Sequence, residues 1–242
     1  MVGLTFVLVH GAWHGGWCWS RVADRLRAAG HRVFMPTCTG LGERAHLLSR
    51  NITLDTFIAD VTGLIEAEEL HEVVLVGHSF GGLTVSGVAD RLPERIRYLV
   101  YLDAALVQPG ACAFDALPPA IVAARREAAE ASSGGLGLPC PPPSAFGVLE
   151  IADAAWLMRR LTPHPLTTFV SPLLIRNPLG NGVARTYVAC TAPVYAPLDG
   201  VKAWVRVQSG WGWREMTTEH DAMISAPNEL ARLLVELAGV EG

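Results

Sequence analysis

Apolar runs and segments with apolar residues every three or four positions alternate through the first hundred residues. That order builds a parallel sheet with helices on both faces. Leu4 to Val9 reads as a buried strand. Trp19, Val22, Ala23 and Leu26 recur at helical spacing, and Gly30 after them suits a left-handed helix end. His31 to Met35 predicts a short strand stopped at Pro36, and Thr37 to Asn51, without a period, reads as a loop. Ile58, Val61, Leu64 and Ile65 mark a second helix, Val73 to Val76 a strand, Leu83 to Leu92 a third helix, and Arg95 to Leu102 a strand ending at Asp103.

The alternation breaks from Gln108 to Gly182. This stretch is Ala-rich, then rich in Gly, Ser and Pro (Ser132 to Gly135 and Pro139 to Pro143), then helical again from Ile151 to Leu161. It reads as a cap, residues 108–182, inserted into a core made of residues 1–107 and 183–242. The pattern resumes with strand Thr186 to Cys190, helix Leu198 to Val207, strand Arg214 to Thr217 and helix Pro227 to Leu237. The fold class is α/β, a mostly parallel central sheet in a single compact domain, which suits 242 residues.

Half of the residues are hydrophobic and 17% are charged, with a net charge of -4. That balance excludes a disordered chain and argues against polyanionic partners, so no nucleic acid is expected. No stretch approaches the ~20 apolar residues that span a bilayer, so no membrane partner is expected. The first residues lack a basic region and a cleavage-like site, so they read as a first strand and not a leader. Cys18, Cys38, Cys112, Cys140 and Cys190 are odd in number and irregularly spaced, which suits reduced thiols in a cytoplasm, and the chain is expected to be a monomer or homodimer.

Candidate chemistry enters at Gly77-His78-Ser79-Phe80-Gly81, between a buried strand and a helical segment. A serine hydroxyl is a poor nucleophile, so a protein that uses one exposes it on a tight turn beside a base. Glycines at both ends allow strand to fold sharply into helix. The base of such a site follows the last strand, where His220 stands in Thr218-Glu219-His220-Asp221. The other histidines sit inside the turn (His78), at element ends (His31, His71, His164) or in a loop (His46). Backbone amides of Ala12 and Phe80 are the candidate oxyanion donors, one after the first strand at His10-Gly11 and one after the serine. His10 and His14 are four apart, but Gly11 and a strand end between them argue against a metal site; no metal and no cofactor are expected.

These residues resemble a known family. Val9-His10-Gly11-Ala12-Trp13-His14-Gly15-Gly16-Trp17, Gly40-Leu41-Gly42-Glu43-Arg44, the Gly77 to Gly82 turn, Tyr101-Leu102-Asp103-Ala104 and His220-Asp221-Ala222-Met223 look like bacterial alpha/beta-hydrolase esterases. Those are related to plant methylesterases and hydroxynitrile lyases. The resemblance runs nearly end to end and is weakest from Ala111 to Ala152. It implies cleavage of a small apolar carboxylic ester or lactone through an acyl-enzyme, without a cofactor. The lyases of that superfamily carry threonine and lysine where this chain has Gly11 and Asp221, which favours the esterase.

One departure stands out. Relatives read Cys-Thr-Asp-Pro where this chain reads Cys190-Thr191-Ala192-Pro193, so the carboxylate expected to orient the histidine is absent. Losing that group costs ~10⁴ in turnover in a serine protease. Asp103, closing the strand after the serine's helix, is the expected substitute, as in other hydrolases of this fold. Asp199 lies on a predicted helix, and Asp221 adjoins His220 in sequence, so neither is expected to reach the far imidazole nitrogen. The pocket is expected to be apolar, with His10, Gly11, Trp13, Trp17, His78, Phe114, Phe146 and Trp156 as candidate lining. Two further readings keep the same pocket: a lyase, C–C hydrolase or cyclase using His220 as base, or a small-molecule binding protein without turnover.

Overall fold

The computed structural model describes residues 3–239; Met1 and Val2, where the segment read as a first strand begins, lie outside them. In chain order the strands are β1 (Thr5–Val9), β2 (Arg32–Phe34), β3 (Val73–His78), β4 (Ile96–Leu102), β5 (Gly137–Leu138), β6 (His164–Pro165), β7 (Arg185–Cys190) and β8 (Gly212–Met216). The helices are α1 (Ser20–Ala28), α2 (Leu54–Ala67), α3 (Gly81–Arg91), α4 (Pro119–Ser133), α5 (Ile151–Met158), α6 (Leu166–Val170), α7 (Asp199–Arg206), α8 (Ala222–Ser225) and α9 (Pro227–Gly239). No helix among the described residues is long and apolar enough to cross a membrane.

Six strands form one sheet in the order β2-β1-β3-β4-β7-β8, every pair parallel. Continuous apolar runs such as Val73 to Val76 are buried on both faces, which requires helices above and below. The chain supplies them: α1 packs on α9, and α2 on α3. The path from β1 runs outward to β2 and then returns past β1 to β3. With right-handed crossovers, that reversal sends α1 to one face and α2 and α3 to the other. It also opens a crevice beyond the carboxyl ends of β1 and β3, where ligands of such sheets bind.

Two adjustments to the sequence reading are local. The stretch Thr37 to Asn51 contains a tight 3₁₀ segment, Gly42–Leu47. The last strand is Gly212–Met216, starting two residues and ending one residue earlier than the sequence pattern suggests, because β8 is a half-exposed edge whose ladder with β7 and not its burial sets its limits. Residues 108–182 lie outside the main sheet and carry α4, α5, α6 and the β5–β6 pair. All five cysteines are free.

The carboxyl end of the sheet holds buried imidazoles. His10, after β1, and His78, ending β3, are almost fully enclosed. Burial dominates both, helped by the charge of neighbouring histidines, and lowers His10 to about 4 and His78 to about 3. Each folded value lies below the ordinary 6.5, so the unfolded chain takes up protons first on acidification. The stability they give is complete above about pH 6.5 and is lost as pH falls toward their folded values.

Two outcomes follow. On going from pH 7 to pH 5, the unfolding free energy measured by urea titration falls by roughly 2–4 kcal/mol; an unchanged midpoint would contradict the buried neutral histidines. At Gly81 an added Cβ would lie 2.7 Å from the His10 carbonyl oxygen, a backbone atom that cannot yield, whereas at exposed Gly63 it meets nothing within 4 Å. In the same assay Gly81→Ala is expected to destabilise by more than ~1 kcal/mol, while Gly63→Ala stabilises by about 0.5–1 kcal/mol through helix propensity.

Candidate active site

Ser79 and Phe80 alone join β3 to α3. Ser79 has φ 51°, the left-handed region a side chain adopts only where its surroundings enforce it. They do so by hydrogen bonds: the Ser79 amide donates to the Leu102 carbonyl (3.2 Å), and its own carbonyl accepts from Gly82 (3.0 Å) and Ala105 (2.8 Å). A Cβ on Gly77 would fall 2.8 Å from the Gly81 oxygen, so both glycines are required by close backbone approach. Ser79 is partly exposed between the buried His78 and Phe80.

Asp103 follows β4 and also has a left-handed backbone, φ 37°. Its amide donates to the Val188 carbonyl at 2.7 Å, which ties this turn to β7. The carboxylate is fully buried and has three donors. His220 Nδ1 reaches Oδ2 at 2.6 Å, while Lys202 Nζ (2.8 Å) and the Cys190 amide (3.1 Å) reach Oδ1. Burial alone would raise this carboxyl, but the bonds and charges of His220 and Lys202 outweigh it and hold it below the ordinary carboxylate value. With Nδ1 donating, a neutral His220 keeps Nε2 as an acceptor. The ring of Tyr195 stacks on His220, centroids 4.0 Å apart and planes 16° apart. Ala192 is exposed on the loop after β7, its amide bonded to the Thr218 carbonyl.

Lys202 and Tyr195 were not among the expected site residues. Lys202 had a visible mark, since it is the only lysine in the chain. Tyr195 had none, being one ring in a loop.

The loop after β1 closes the other side. Trp13 is a third non-glycine residue with positive φ, 65°, and is pinned on three sides. Its amide donates to His164 Nδ1 (3.2 Å), its indole to the Leu138 carbonyl (3.2 Å), and its carbonyl accepts from Thr162 (3.0 Å). Among the described residues, neither the Ala12 amide nor the Phe80 amide has a hydrogen-bond acceptor. A Cβ at Gly11 would sit 2.8 Å from Ser79 Cβ, so the two loops meet at the serine.

Behind His220 lies a second buried network. His14 Nδ1 donates to the Ala12 carbonyl (2.8 Å) and Nε2 contacts Asp221 Oδ2 (3.1 Å). Burial would lower His14, but Asp221 outweighs it and raises it; burial would raise Asp221, and His14 pulls it down. The pair is therefore ionic, and the partner of His220 Nδ1 is Asp103 rather than Asp221. His78 Nε2 donates to the His220 carbonyl (3.0 Å), so this imidazole holds the backbone of its neighbour. His78, His220 and Asp221 offer possible metal-ligand atoms within 4.8 Å of one another. Each of these imidazoles spends one ring nitrogen on a protein oxygen.

Beside this site is a cavity of about 380 Å³ under α4, lined by Trp13, Arg125, Leu138, Cys140 and Tyr195 among others. A larger one, about 1020 Å³, opens at the far end of the strands, near Gly3 and α9, away from Ser79. Of the expected lining residues, only Trp13 lines the near cavity. Phe146 packs on Trp13 and His14, Phe114 on Phe169, and Trp17 edge-on to Trp156. His10 is occupied by the Cys38 amide and the Gly11 carbonyl, and His78 by His220. Both ring nitrogens of His10 have partners inside the fold, whereas the Trp17 indole nitrogen and His78 Nδ1 are buried without one among the described residues. The sequence reading expected apolar walls; a guanidinium, Arg125, stands in them.

Comparison with known proteins agrees with this architecture. Residues 6–236 match the alpha/beta hydrolase family. The chain is 44% identical over 244 residues to a carbendazim hydrolyzing esterase of Nocardioides sp. (strain SG-4G), covering 96% of this chain and 99% of that one. It is 26% identical over 260 residues to methylesterase 10 of Arabidopsis thaliana, covering 96% and 91%. An extracellular alpha/beta-hydrolase from a Paenibacillus species superposes with a TM-score of 0.85 at 25% identity, covering 98% of this chain and all of that one. Fold, sequence match and relatives agree: the chain belongs to the alpha/beta hydrolase family and is an enzyme of its carboxylesterase-like kind.

Proposed function

We propose that the protein is a serine esterase that cleaves small carboxylic esters, methyl esters among them, through an acyl-enzyme. The observation that carries this reading is the 2.6 Å bond from His220 Nδ1 to Asp103. It fixes the tautomer in which Nε2 can take a proton from Ser79 Oγ as that oxygen attacks the ester carbonyl. The developing oxyanion is received by the amides of Ala12 and Phe80, which have no protein acceptor to give up. The imidazolium then protonates the departing alkoxide, and a water activated by His220 releases the acid and regenerates Ser79. No step draws on a metal or cofactor.

Asp103 thereby takes the role that Asp at position 192 has in the resembling esterases. Lys202 and the Cys190 amide hold Oδ1, so the carboxylate turns Oδ2 to His220 in one orientation. The methyl-ester preference is drawn from the plant methylesterases this chain resembles. A lyase reaction is disfavoured: Gly11 leaves no room for a side chain beside Ser79, and Asp221 is paired with His14.

On short methyl and aryl esters, Ser79→Ala and His220→Ala are expected to lose at least ~10⁴-fold in kcat. Asp103→Asn should keep the fold and lose ~10³–10⁴-fold. Ala192→Asp should stay within about threefold of the parent, because the imidazole's Nδ1 is already engaged. An Asp103→Asn enzyme as fast as the parent, or an Ala192→Asp enzyme that is much faster, contradicts the assignment.

A further inference from the structure

The cap places a cation where no protein carboxylate answers it. Arg125, on α4, is half-buried, and its Cζ stands 5.7 Å from the Trp13 ring centroid and 5.5 Å from that of Phe169. Among the described residues no Asp or Glu oxygen lies within 4.0 Å of it. Arg21 and Arg44, also partly buried, are answered by Asp153 and Asp60, whereas Arg160 and Arg185 stand over Trp156 and Trp211 without a carboxylate among the described residues. A guanidinium offers five donors in a plane, and the faces of two aromatic rings satisfy none of them by hydrogen bonding. Desolvation lowers this group from its ordinary value, opposed only by the Tyr195 phenol and by no carboxylate.

Position turns this cost toward function. Arg125 lines the 380 Å³ cavity together with Trp13 and Tyr195. Trp13 directly follows Ala12, and Tyr195 stacks on His220, so two of the cavity's walls adjoin residues of the candidate site. The remaining walls, including Leu138, Cys140 and Ala145, are apolar or nearly so. A ligand filling this space meets a hydrocarbon-lined channel with a guanidinium and a phenol hydroxyl in its wall.

We propose that Arg125, assisted by the Tyr195 hydroxyl, is an anion subsite, and that the preferred substrates are esters carrying a second, free carboxylate on the acyl side. The inference rests on the esterase reading above and adds the substrate class to it. The carboxylate takes the fork of the guanidinium, the aliphatic spacer lies along Trp13 and Leu138, and the ester carbonyl is presented to Ser79.

The test compares monomethyl succinate, adipate and suberate with neutral methyl alkanoates of equal length. At the best-fitting length the parent should favour the half-ester by about tenfold or more in kcat/KM, through KM. Arg125→Met should lose that preference and leave the neutral ester within about threefold, and Arg125→Lys should keep part of it. A parent that prefers neutral esters at every length, or an Arg125→Met enzyme that loses both substrates equally, overturns the proposal; the second result makes Arg125 a support of the cap. If the parent hydrolyses no ester, the esterase reading fails and titration calorimetry of adipate decides the subsite separately. Binding to Ser79→Ala that disappears in Ser79→Ala/Arg125→Gln upholds the subsite, and absence of binding to Ser79→Ala removes it.

Discussion

The hydrogen bond between His220 Nδ1 and Asp103 Oδ2, 2.6 Å long and closed to solvent, is the contact on which the rest of the site depends. A carboxylate buried this completely stays ionised only if donors surround it. Three do, from three different elements: the loop after β8, helix α7 and the end of β7. Each must be delivered at hydrogen-bond distance by the sheet. The order β3-β4-β7-β8 therefore does more than form a core. It aligns the carboxyl ends that carry Ser79, Asp103, Cys190 and His220 along one edge.

Delivering them strains the chain. Ser79, Asp103 and Trp13 each take a left-handed backbone, at roughly 1–3 kcal/mol apiece. Backbone hydrogen bonds hold all three: the Ser79 amide donates to Leu102, the Asp103 amide to Val188, and the Thr162 amide to the Trp13 carbonyl. Behind them, the buried pair His14–Asp221 and the bond from His78 to the His220 carbonyl fix the back of the loop that carries His220. Rigidity at the protein side is what an acyl-transfer site needs, since aimed donors do not reorganise during reaction.

Much of this was legible in the chain. Strand and helix periods located every strand of the main sheet, and the inner strands β1 and β3 were clearest because a strand buried on both faces has no polar positions to confuse it. The Gly77 to Gly81 turn could be read because backbone collision permits few residues there. Asp103 could be inferred from its place at a strand end once Ala192 was seen to lack a carboxylate. What the sequence hid was tertiary. Lys202 and Tyr195 reach His220 and Asp103 from a helix and a loop whose local pattern carries no trace of the contact, and Arg125 enters the cavity from a cap helix most of whose residues are exposed. Of the aromatic residues expected as lining, Trp13 lines the cavity under α4, while Trp17, Phe114, Phe146 and Trp156 pack on other rings.

The most direct test of the account is the protonation state of His220, followed by nitrogen-15 NMR of the imidazole at neutral pH in the parent, Asp103→Asn and Ala192→Asp proteins. The account predicts a single Nδ1–H tautomer with a strongly downfield proton in the parent and in Ala192→Asp. It predicts loss of that proton and a change of tautomer in Asp103→Asn. A downfield Nδ1 proton that persists in Asp103→Asn would show that another group orients His220.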